Sequence, residues 1–178
     1  MIILITGASH TGKTLLAQRM LERFGYPYLS IDHLKMGLIR SGNTHLTPDN
    51  DDALTDYLWP IVLEIIKTAI ENQQNLIVEG CYIPSNWRQD FSKQYLSSIR
   101  FICLAMTDAH IDAHIDDIKK HSSDIETRLY DTNYTPDSLK ADNHVFIQSF
   151  TQSGEHVTLI NEDYEETINA LVEQYVPI

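Results

Sequence analysis

The sequence predicts an α/β protein in which short buried strands alternate with longer amphipathic helices. Short continuous apolar runs, the first over residues 2–6, are typical of strands buried on both faces of a parallel sheet. Between these runs, apolar residues recur every three or four positions, which is the spacing of one helical face. Strands that alternate with helices form a mostly parallel sheet with right-handed crossovers. The predicted strands cover residues 2–6, 28–31, 76–78, 99–105 and 157–160.

Five amphipathic stretches account for the predicted helices. The longest, over residues 54–70, contains Pro60, which we interpret as a kink or a first-turn residue. Residues 41–52 and 121–135 lack a clear period, and we predict that they form mobile loops over an active site. The other helices are predicted over residues 13–24, over residues 34–40, around Ile111, Ile115 and Ile118, and around Ile168, Leu171 and Tyr175.

Length and charge narrow the class of protein. The chain has 178 residues, 43% of them apolar, which is enough for one domain with a substantial core, so we expect residues 1–178 to form a single domain. Thirteen Lys and Arg residues against 25 Asp and Glu residues give a formal net charge of −12. Such a charge repels nucleic acids and anionic membrane surfaces, and we expect neither as a partner.

Cysteine content and terminal composition point to a cytoplasmic protein. The two cysteines, Cys81 and Cys103, lie in hydrophobic contexts and do not suggest a disulfide framework. The N-terminus lacks the basic region of a secretory signal. No apolar run approaches the roughly 20 residues that a membrane helix requires.

A phosphate-binding motif follows the first predicted strand. Residues 7–14 read GASHTGKT and match G-x-x-x-x-G-K-[ST], placed between a buried strand and an amphipathic helix as the motif requires. Glycines permit the close backbone approach, and the successive amides and the helix dipole attract phosphate oxygens. Lys13 is expected to reach the β- and γ-phosphates, and the Thr14 hydroxyl to coordinate Mg²⁺. The predicted nucleotide-binding residues are Gly7, His10, Thr11, Gly12, Lys13, Thr14 and Leu15.

Two further segments make a family resemblance specific. Ser30-Ile31-Asp32-His33-Leu34 follows the second predicted strand, and Val78-Glu79-Gly80 follows the third. With the phosphate-binding loop, they make the whole chain resemble the small P-loop kinases, which include nucleoside monophosphate, shikimate and gluconate kinases, chloramphenicol phosphotransferase, zeta-toxin kinases and 2-phosphoglycerate-kinase-like proteins. The D-x-x-G and N-K-x-D motifs of GTPases are absent from the sequence. The resemblance implies a three-layer fold with a five-stranded parallel sheet in the order 2-3-1-4-5, helices on both faces, a lid over residues 121–135, and the use of ATP and Mg²⁺.

Two carboxylates follow the strand ends where open α/β sheets bind ligands. Asp32 is placed to orient or deprotonate an acceptor hydroxyl, and the resemblance implies a base or an outer-shell Mg²⁺ ligand at this point. The alternative is that Ser30 or Asp32 caps the following helix. Glu79 is a candidate for holding a Mg²⁺-bound water or an acceptor hydroxyl; alternatively it is a solvated strand-end carboxylate. The predicted metal ligands are therefore Thr14, Asp32 and Glu79.

Cations are scarce, and the resemblance gives one of them a role. Arg128, in the weakly periodic segment 126–129, corresponds to a lid arginine that neutralises the transferring phosphoryl group. Its alternative is a surface ion pair with Glu126 or Asp131. Arg19 and Arg23, on the first predicted helix, are expected to face solvent.

The acceptor site has further candidate residues. Lys35, Arg40 and Arg88 are candidate cations there, although each is also compatible with a solvated surface charge. Tyr82, Trp59 and Trp87 are candidates for lining the acceptor pocket, with core packing as the alternative.

Three histidines and one turn are the remaining candidates for a functional role. His110, His114 and His121 share a predicted helical face, which we interpret as a structural row, with metal ligation as the lesser alternative. The turn over residues 161–164 lies where similar kinases cover the adenine, and it is equally typical of a helix N-terminus.

The predicted function is transfer of the ATP γ-phosphoryl group to a small-molecule hydroxyl. Nucleoside monophosphate kinases hold phosphates on both substrates with several arginines, whereas this chain offers few arginines but does offer Asp32. Two alternatives stay open: a nucleoside monophosphate kinase, and a nucleotide-dependent binding or switch ATPase that is not a kinase. The protein is expected to be a monomer or a homodimer.

Overall fold

The computed structural model describes residues 1–121 and 134–175. In these two stretches the chain forms five β-strands, seven α-helices and one short 3-10 helix (Trp87–Asp90). The order along the chain is β1 (Ile2–Gly7), α1 (Lys13–Phe24), β2 (Tyr28–Ser30), α2 (Ile31–Arg40), α3 (Asp51–Glu71), β3 (Leu76–Glu79), α4 (Lys93–Leu96), β4 (Ile99–Met106), α5 (Asp108–His121), α6 (Pro136–Gln152), β5 (Val157–Ile160) and α7 (Tyr164–Gln174).

All strand pairs of the sheet are parallel, and the strand order is β2-β3-β1-β4-β5. This confirms the predicted sheet and its order 2-3-1-4-5. The register aligns Ile5 of β1 and Ser30 of β2 with Glu79 of β3. Because parallel strands end at one edge of the sheet, the segments after β1, β2 and β3 start side by side.

Helices cover both faces of the sheet and make three layers. The alternation of side chains along β1 sends Ile2 and Leu4 to one face, where they pack with residues of α3 and with Phe150 of α6. Ile3 and Ile5 point to the other face and pack with residues of α1 and α7. All six residues of β1 are buried, as the continuous apolar run predicts for a central strand.

Several element boundaries differ from the predictions by one to three residues, and two regions of difference bear on the site. The second strand ends at Ser30, so Ile31, predicted as strand, is the first residue of α2, and that helix begins three residues earlier than predicted. Ile31 is fully buried, and a buried apolar residue fits a strand end and a helix start equally well. Helix α3 begins at Asp51 and continues through Pro60, so the first-turn interpretation of this proline is wrong. No described helix is long and apolar enough to cross a membrane.

Helix α6 was missed by the sequence pattern. It starts with a reciprocal capping box between Thr135 and Ser138 and has Pro136 in its first turn. Its buried residues are Leu139, Asn143 and Phe150, so a polar side chain lies in the middle of the buried stripe and hides the helical period.

Most of the predicted lid, residues 122–133, lies outside the described residues. The candidate lid arginine, Arg128, belongs to this part of the chain.

Candidate active site

The loop between β1 and α1 depends on two glycines. Gly7 has a φ of 153°, and a Cβ there would lie 2.2 Å from the carbonyl oxygen of Leu104. Gly12, the N-cap residue of α1, has a φ of 81°, and a Cβ there would lie 1.8 Å from the hydroxyl of Tyr164. A side chain at Gly7 would therefore require a shift of the backbone, and a side chain at Gly12 would strain the left-handed backbone angle and displace the Tyr164 side chain.

Lys13 is held inside this loop. Its side chain is buried, and Nζ donates a hydrogen bond to the carbonyl oxygen of Ala8 at 2.8 Å. The Thr11 hydroxyl donates to the same carbonyl oxygen, also at 2.8 Å. The ammonium thus lies beside the N-terminus of α1, where the helix dipole also favours an anion.

Helix α6 and the residues before it contact the loop at two points. The Ser9 amide donates to Oδ2 of Asp142, in α6, at 2.8 Å. His10 has a φ of 63° and stacks on Tyr134, with ring centroids 4.1 Å apart. Asp142 and Tyr134 lie more than 120 positions from the loop, and no local pattern in the sequence indicates these contacts.

A cavity of about 770 Å³ opens beside the loop. This volume lies within the usual range for small-molecule sites. The cavity lies between the loop with the start of α1, helix α5, and the turn before α7. Its lining includes the predicted residues His10, Gly12, Lys13, Thr14 and Leu15, together with Glu162, Asp163 and Tyr164 of the turn predicted to cover a base.

Arg19 also lines this cavity, although we expected it to face solvent. It donates to Glu165 at 2.6 Å and to Asn169 at 2.9 Å, so α1 is tied to α7 at the cavity wall.

The histidines of α5 form part of the cavity wall and of the packing beneath it. Nδ1 of His110 lies 2.8 Å from the carbonyl oxygen of Asn161, and since a carbonyl only accepts, Nδ1 carries the proton. Burial lowers the pKa of His110, and the neighbouring His114, at 4.6 Å between ring centroids, acts in the same direction. Within residues 1–121 and 134–175 no group of three His, Cys, Asp or Glu side chains is arranged for a metal ion.

Thr14 and Glu79 meet beside the loop. The Thr14 hydroxyl donates to Oε2 of Glu79 at 3.3 Å, and Glu79 is only 1% exposed. Neighbouring hydroxyl and carboxylate oxygens are the donors that Mg²⁺ prefers, and Mg²⁺ usually takes only one or two such protein ligands beside waters and phosphates. The donor set therefore fits Mg²⁺.

A second cluster lies one strand away and joins Asp32 to three further side chains. Lys35 donates to Oδ1 of Asp32 at 2.6 Å and to the Tyr82 hydroxyl at 2.9 Å. The Tyr82 hydroxyl in turn donates to Oδ1 of Asp51 at 3.1 Å. Burial raises the pKa of Tyr82, and the Cys81 thiol and the two carboxylates raise it further, so the phenol stays protonated. We call Asp32, Lys35, Asp51 and Tyr82 the acceptor cluster.

The cluster changes the interpretation of two residues. The Lys35 side chain is 11% exposed and is not a solvated surface charge. Ser30 is the N-cap residue of α2, and the described residues show no side-chain capping bond there, while Asp32 binds Lys35. Asp51 had no role in the sequence predictions because it falls in a stretch predicted to be a loop.

Other acceptor-site candidates lie elsewhere. Arg40 is exposed at the last residue of α2, about 12 Å along the helix axis from Asp32. Arg88 forms a bidentate pair with Glu155 and lies over the Trp87 ring at 4.5 Å from its centroid. Trp59 and Trp87 are buried in the core between α3 and the sheet, so their packing interpretation holds.

Comparison with known proteins agrees with this geometry at the level of the fold. No protein-family model matches the sequence, and no curated protein matches it. Among solved structures, deoxyadenosine kinase from M. mycoides superposes with a TM-score of 0.58 at 14% identity, covering 98% of both chains. Shikimate kinase from Aquifex aeolicus superposes with a TM-score of 0.53 at 11% identity, covering 98% of this chain and 95% of that one.

This chain has a small P-loop kinase-like fold. The loop, the cavity and the acceptor cluster of this P-loop kinase-like protein all lie at the carboxyl edge of its sheet, where such open sheets bind ligands.

Proposed function

We propose that this protein is a Mg²⁺-dependent kinase that transfers the γ-phosphoryl group of ATP to a hydroxyl group of a small molecule. The observation that carries the proposal is the acceptor cluster next to the phosphate-binding loop. Glu79 accepts a hydrogen bond from Thr14 of the loop and is paired in register with Ser30, two residues before Asp32 of the cluster, so the two sites are neighbours. The fold neighbours are named as kinases of deoxyadenosine and shikimate, which supports a hydroxyl acceptor.

The nucleotide side holds the phosphates. The loop amides and Lys13 bind the β- and γ-phosphates, and they stabilise the charge that develops as the bond from the γ-phosphorus to the bridging oxygen breaks. Thr14 and Glu79 would hold Mg²⁺, which when bound neutralises charge on the same phosphates. Arg128 of the proposed lid supplies a further positive charge, in a segment outside the described residues.

The acceptor side positions the hydroxyl group. Asp32 accepts a hydrogen bond from this hydroxyl and takes its proton as the new bond to phosphorus forms. Lys35 holds the Asp32 carboxylate in place, and the Tyr82 hydroxyl accepts a second hydrogen bond from Lys35. Fixing both reactants in this way supplies most of the catalysis expected of a phosphoryl transfer enzyme.

The scarcity of free cations favours this proposal over a nucleoside monophosphate kinase. An acceptor phosphate requires cationic partners, but Lys35 is already bound to Asp32, and Arg88 to Glu155. Moreover, such an acceptor presents an anionic oxygen and needs no base, so Asp32 would have no task.

Two substitutions test the proposal on the purified chain with γ-labelled ATP and a library of nucleosides, sugars, glycerates and antibiotics, read by product mass. We expect Asp32→Asn to lower phosphoryl transfer at least about 100-fold while nucleotide affinity stays within about twofold, because a general base is lost and the loop is untouched. Lys13→Ala is expected to abolish ATP turnover.

The matched control is Asp56→Asn, an exposed carboxylate on α3 whose loss leaves transfer unchanged. Transfer by Asp32→Asn at the parental rate contradicts the base role. ATP hydrolysis without phosphorylation of any acceptor, together with a nucleotide-dependent protein partner, identifies a switch ATPase instead.

A further inference from the structure

The acceptor cluster has more negative than positive charge. Three consecutive hydrogen bonds join Asp32, Lys35, Tyr82 and Asp51, so one ammonium lies between two carboxylates. Tyr82 is neutral, so two carboxylates and one ammonium leave the cluster with a net negative charge.

The Lys35 ammonium already forms an ion pair with Asp32. Its Nζ lies 2.6 Å from Oδ1 of Asp32, and the two side chains are 11% and 32% exposed. Asp32 and Tyr82 take two of the three N–H donors of this ammonium. An acceptor phosphate or carboxylate at the third donor would lie beside the Asp32 carboxylate, and the two negative charges would repel each other.

Four other cations of the described chain have other partners or lie away from the cluster. Lys13 belongs to the phosphates of the nucleotide. Arg19 and Arg88 are bound to Glu165 and Glu155, and Arg40 lies at the far end of α2.

We infer that the acceptor is an uncharged polyhydroxylated molecule, a sugar or the sugar part of a nucleoside, and that molecules with the same hydroxyls but a carboxylate or phosphate are poor acceptors. Carboxylates only accept hydrogen bonds, so Asp32 and Asp51 suit two hydroxyl groups of one molecule. One hydroxyl, bound by Asp32, is the group that is phosphorylated, and a second is held by Asp51. The inference rests on the proposed kinase function and names its substrate class.

The test uses acceptor pairs that keep the same hydroxyl groups and differ in charge: gluconamide with gluconate, glucuronamide with glucuronate, glyceramide with glycerate, and uridine with orotidine. The full chain is assayed with MgATP, and kcat/KM is measured from product mass. In any series that the enzyme accepts, we expect kcat/KM for the neutral member to be at least about tenfold higher than for its anionic counterpart, because like charge opposes binding of the anion.

A preference for an anionic member overturns the inference and leaves the kinase proposal standing. ATP hydrolysis without phosphorylation of any member or of the wider library overturns both. The two failures are therefore distinguishable.

A variant pair tests the charge argument within the site. Asp51→Asn removes one negative charge but keeps an oxygen acceptor for the Tyr82 hydroxyl, so we expect the ratio of neutral to anionic kcat/KM to fall severalfold. The control is Asp52→Asn, the adjacent residue of the same helical turn, which is exposed like Asp51 and carries the same formal charge change. A purely structural role of Asp51 lowers both rates together and leaves the ratio unchanged, and this result contradicts the inference.

Discussion

At the scale of single residues, Gly12 couples the phosphate-binding loop to the turn before α7. Its φ of 81° is the left-handed conformation, and the space that a Cβ would need is occupied by the hydroxyl of Tyr164. Because glycine has no Cβ, residue 12 can adopt the left-handed conformation of the loop and can also pack against Tyr164 in the cavity wall.

We expect Gly12→Ala to lower the melting temperature and to weaken nucleotide binding at least about tenfold, because both the backbone angle and the clash oppose it. Thermal unfolding and nucleotide titration measure these effects. Gly37→Ala is the matched control: nothing lies within 4 Å of its Cβ position in α2, so it should be neutral or stabilise by up to about 1 kcal/mol. Equal behaviour of the two variants would show that the loop tolerates a side chain.

His110 makes the stability of the protein depend on pH. Burial holds its pKa below the unfolded value of about 6.5, so the unfolded chain binds the proton more readily. The stability that neutral His110 contributes is thus fully present above about pH 6.5 and is lost as the pH falls towards the lowered pKa of the folded state.

The free energy of unfolding, measured in urea between pH 7.5 and 5, checks this expectation. The advantage of the parent over His110→Asn should shrink as the pH falls. His45→Asn, at an exposed position, is the control variant. A His110→Asn difference that does not change with pH contradicts a lowered histidine pKa.

At the scale of elements, α6 shows where sequence reasoning reaches its limit. The five strands and the helices α1, α3 and α7 were predicted from unbroken apolar patterns. Such patterns involve only residues that are close together in the sequence. In α6 the buried position between Leu139 and Phe150 is Asn143. Its side-chain oxygen accepts a hydrogen bond from Met106, 37 positions away, which no local pattern indicates. The capping signal of Thr135, Pro136 and Ser138 was the local feature that indicates this helix.

Asn143 attaches α6 to the end of β4. Its Oδ1 accepts from the Met106 amide at 2.6 Å, its Nδ2 donates to the Leu139 carbonyl at 2.7 Å, and the residue is fully buried. Asn143→Ala leaves the Met106 amide without this partner, and we expect a loss of about 1–3 kcal/mol in unfolding free energy. Gln148→Ala, exposed on the same helix, should change it by less than about 0.5 kcal/mol. Similar values for the two variants in urea unfolding contradict this role.

At the scale of the whole molecule, the site is assembled from segments that only the fold brings together. The motif over residues 7–14, Asp32 and Glu79 follow strands of one sheet, so their proximity was predictable from strand order alone. Asp51 and Asp142 come from helices whose positions depend on packing against that sheet, and their contacts with Tyr82 and Ser9 have no local signature. The net charge of −12 predicts that polyanionic surfaces are not partners, and the inference from the acceptor cluster extends the same argument to the small molecule.

Arg88 and Glu155 connect distant parts of this molecule. They lie 67 positions apart, one between β3 and β4 and the other before β5, and the Glu155 side chain is 5% exposed. Arg88→Ala leaves a buried carboxylate without its guanidinium, which costs more than the same change at an exposed pair. The matched pair is Arg23 and Glu173, 3.5 Å apart with both side chains more than half exposed.

We therefore expect Arg88→Ala to lower the free energy of unfolding by about 1–3 kcal/mol, and Arg23→Ala by less than about 0.5 kcal/mol. Adding Glu155→Gln to Arg88→Ala should restore part of the loss, because the unpaired charge is then removed along with its partner. Urea unfolding of the three variants and of the parent measures these differences in the free energy of unfolding. If the double variant is less stable than Arg88→Ala alone, the cost comes from lost packing over Trp87 and not from the buried charge.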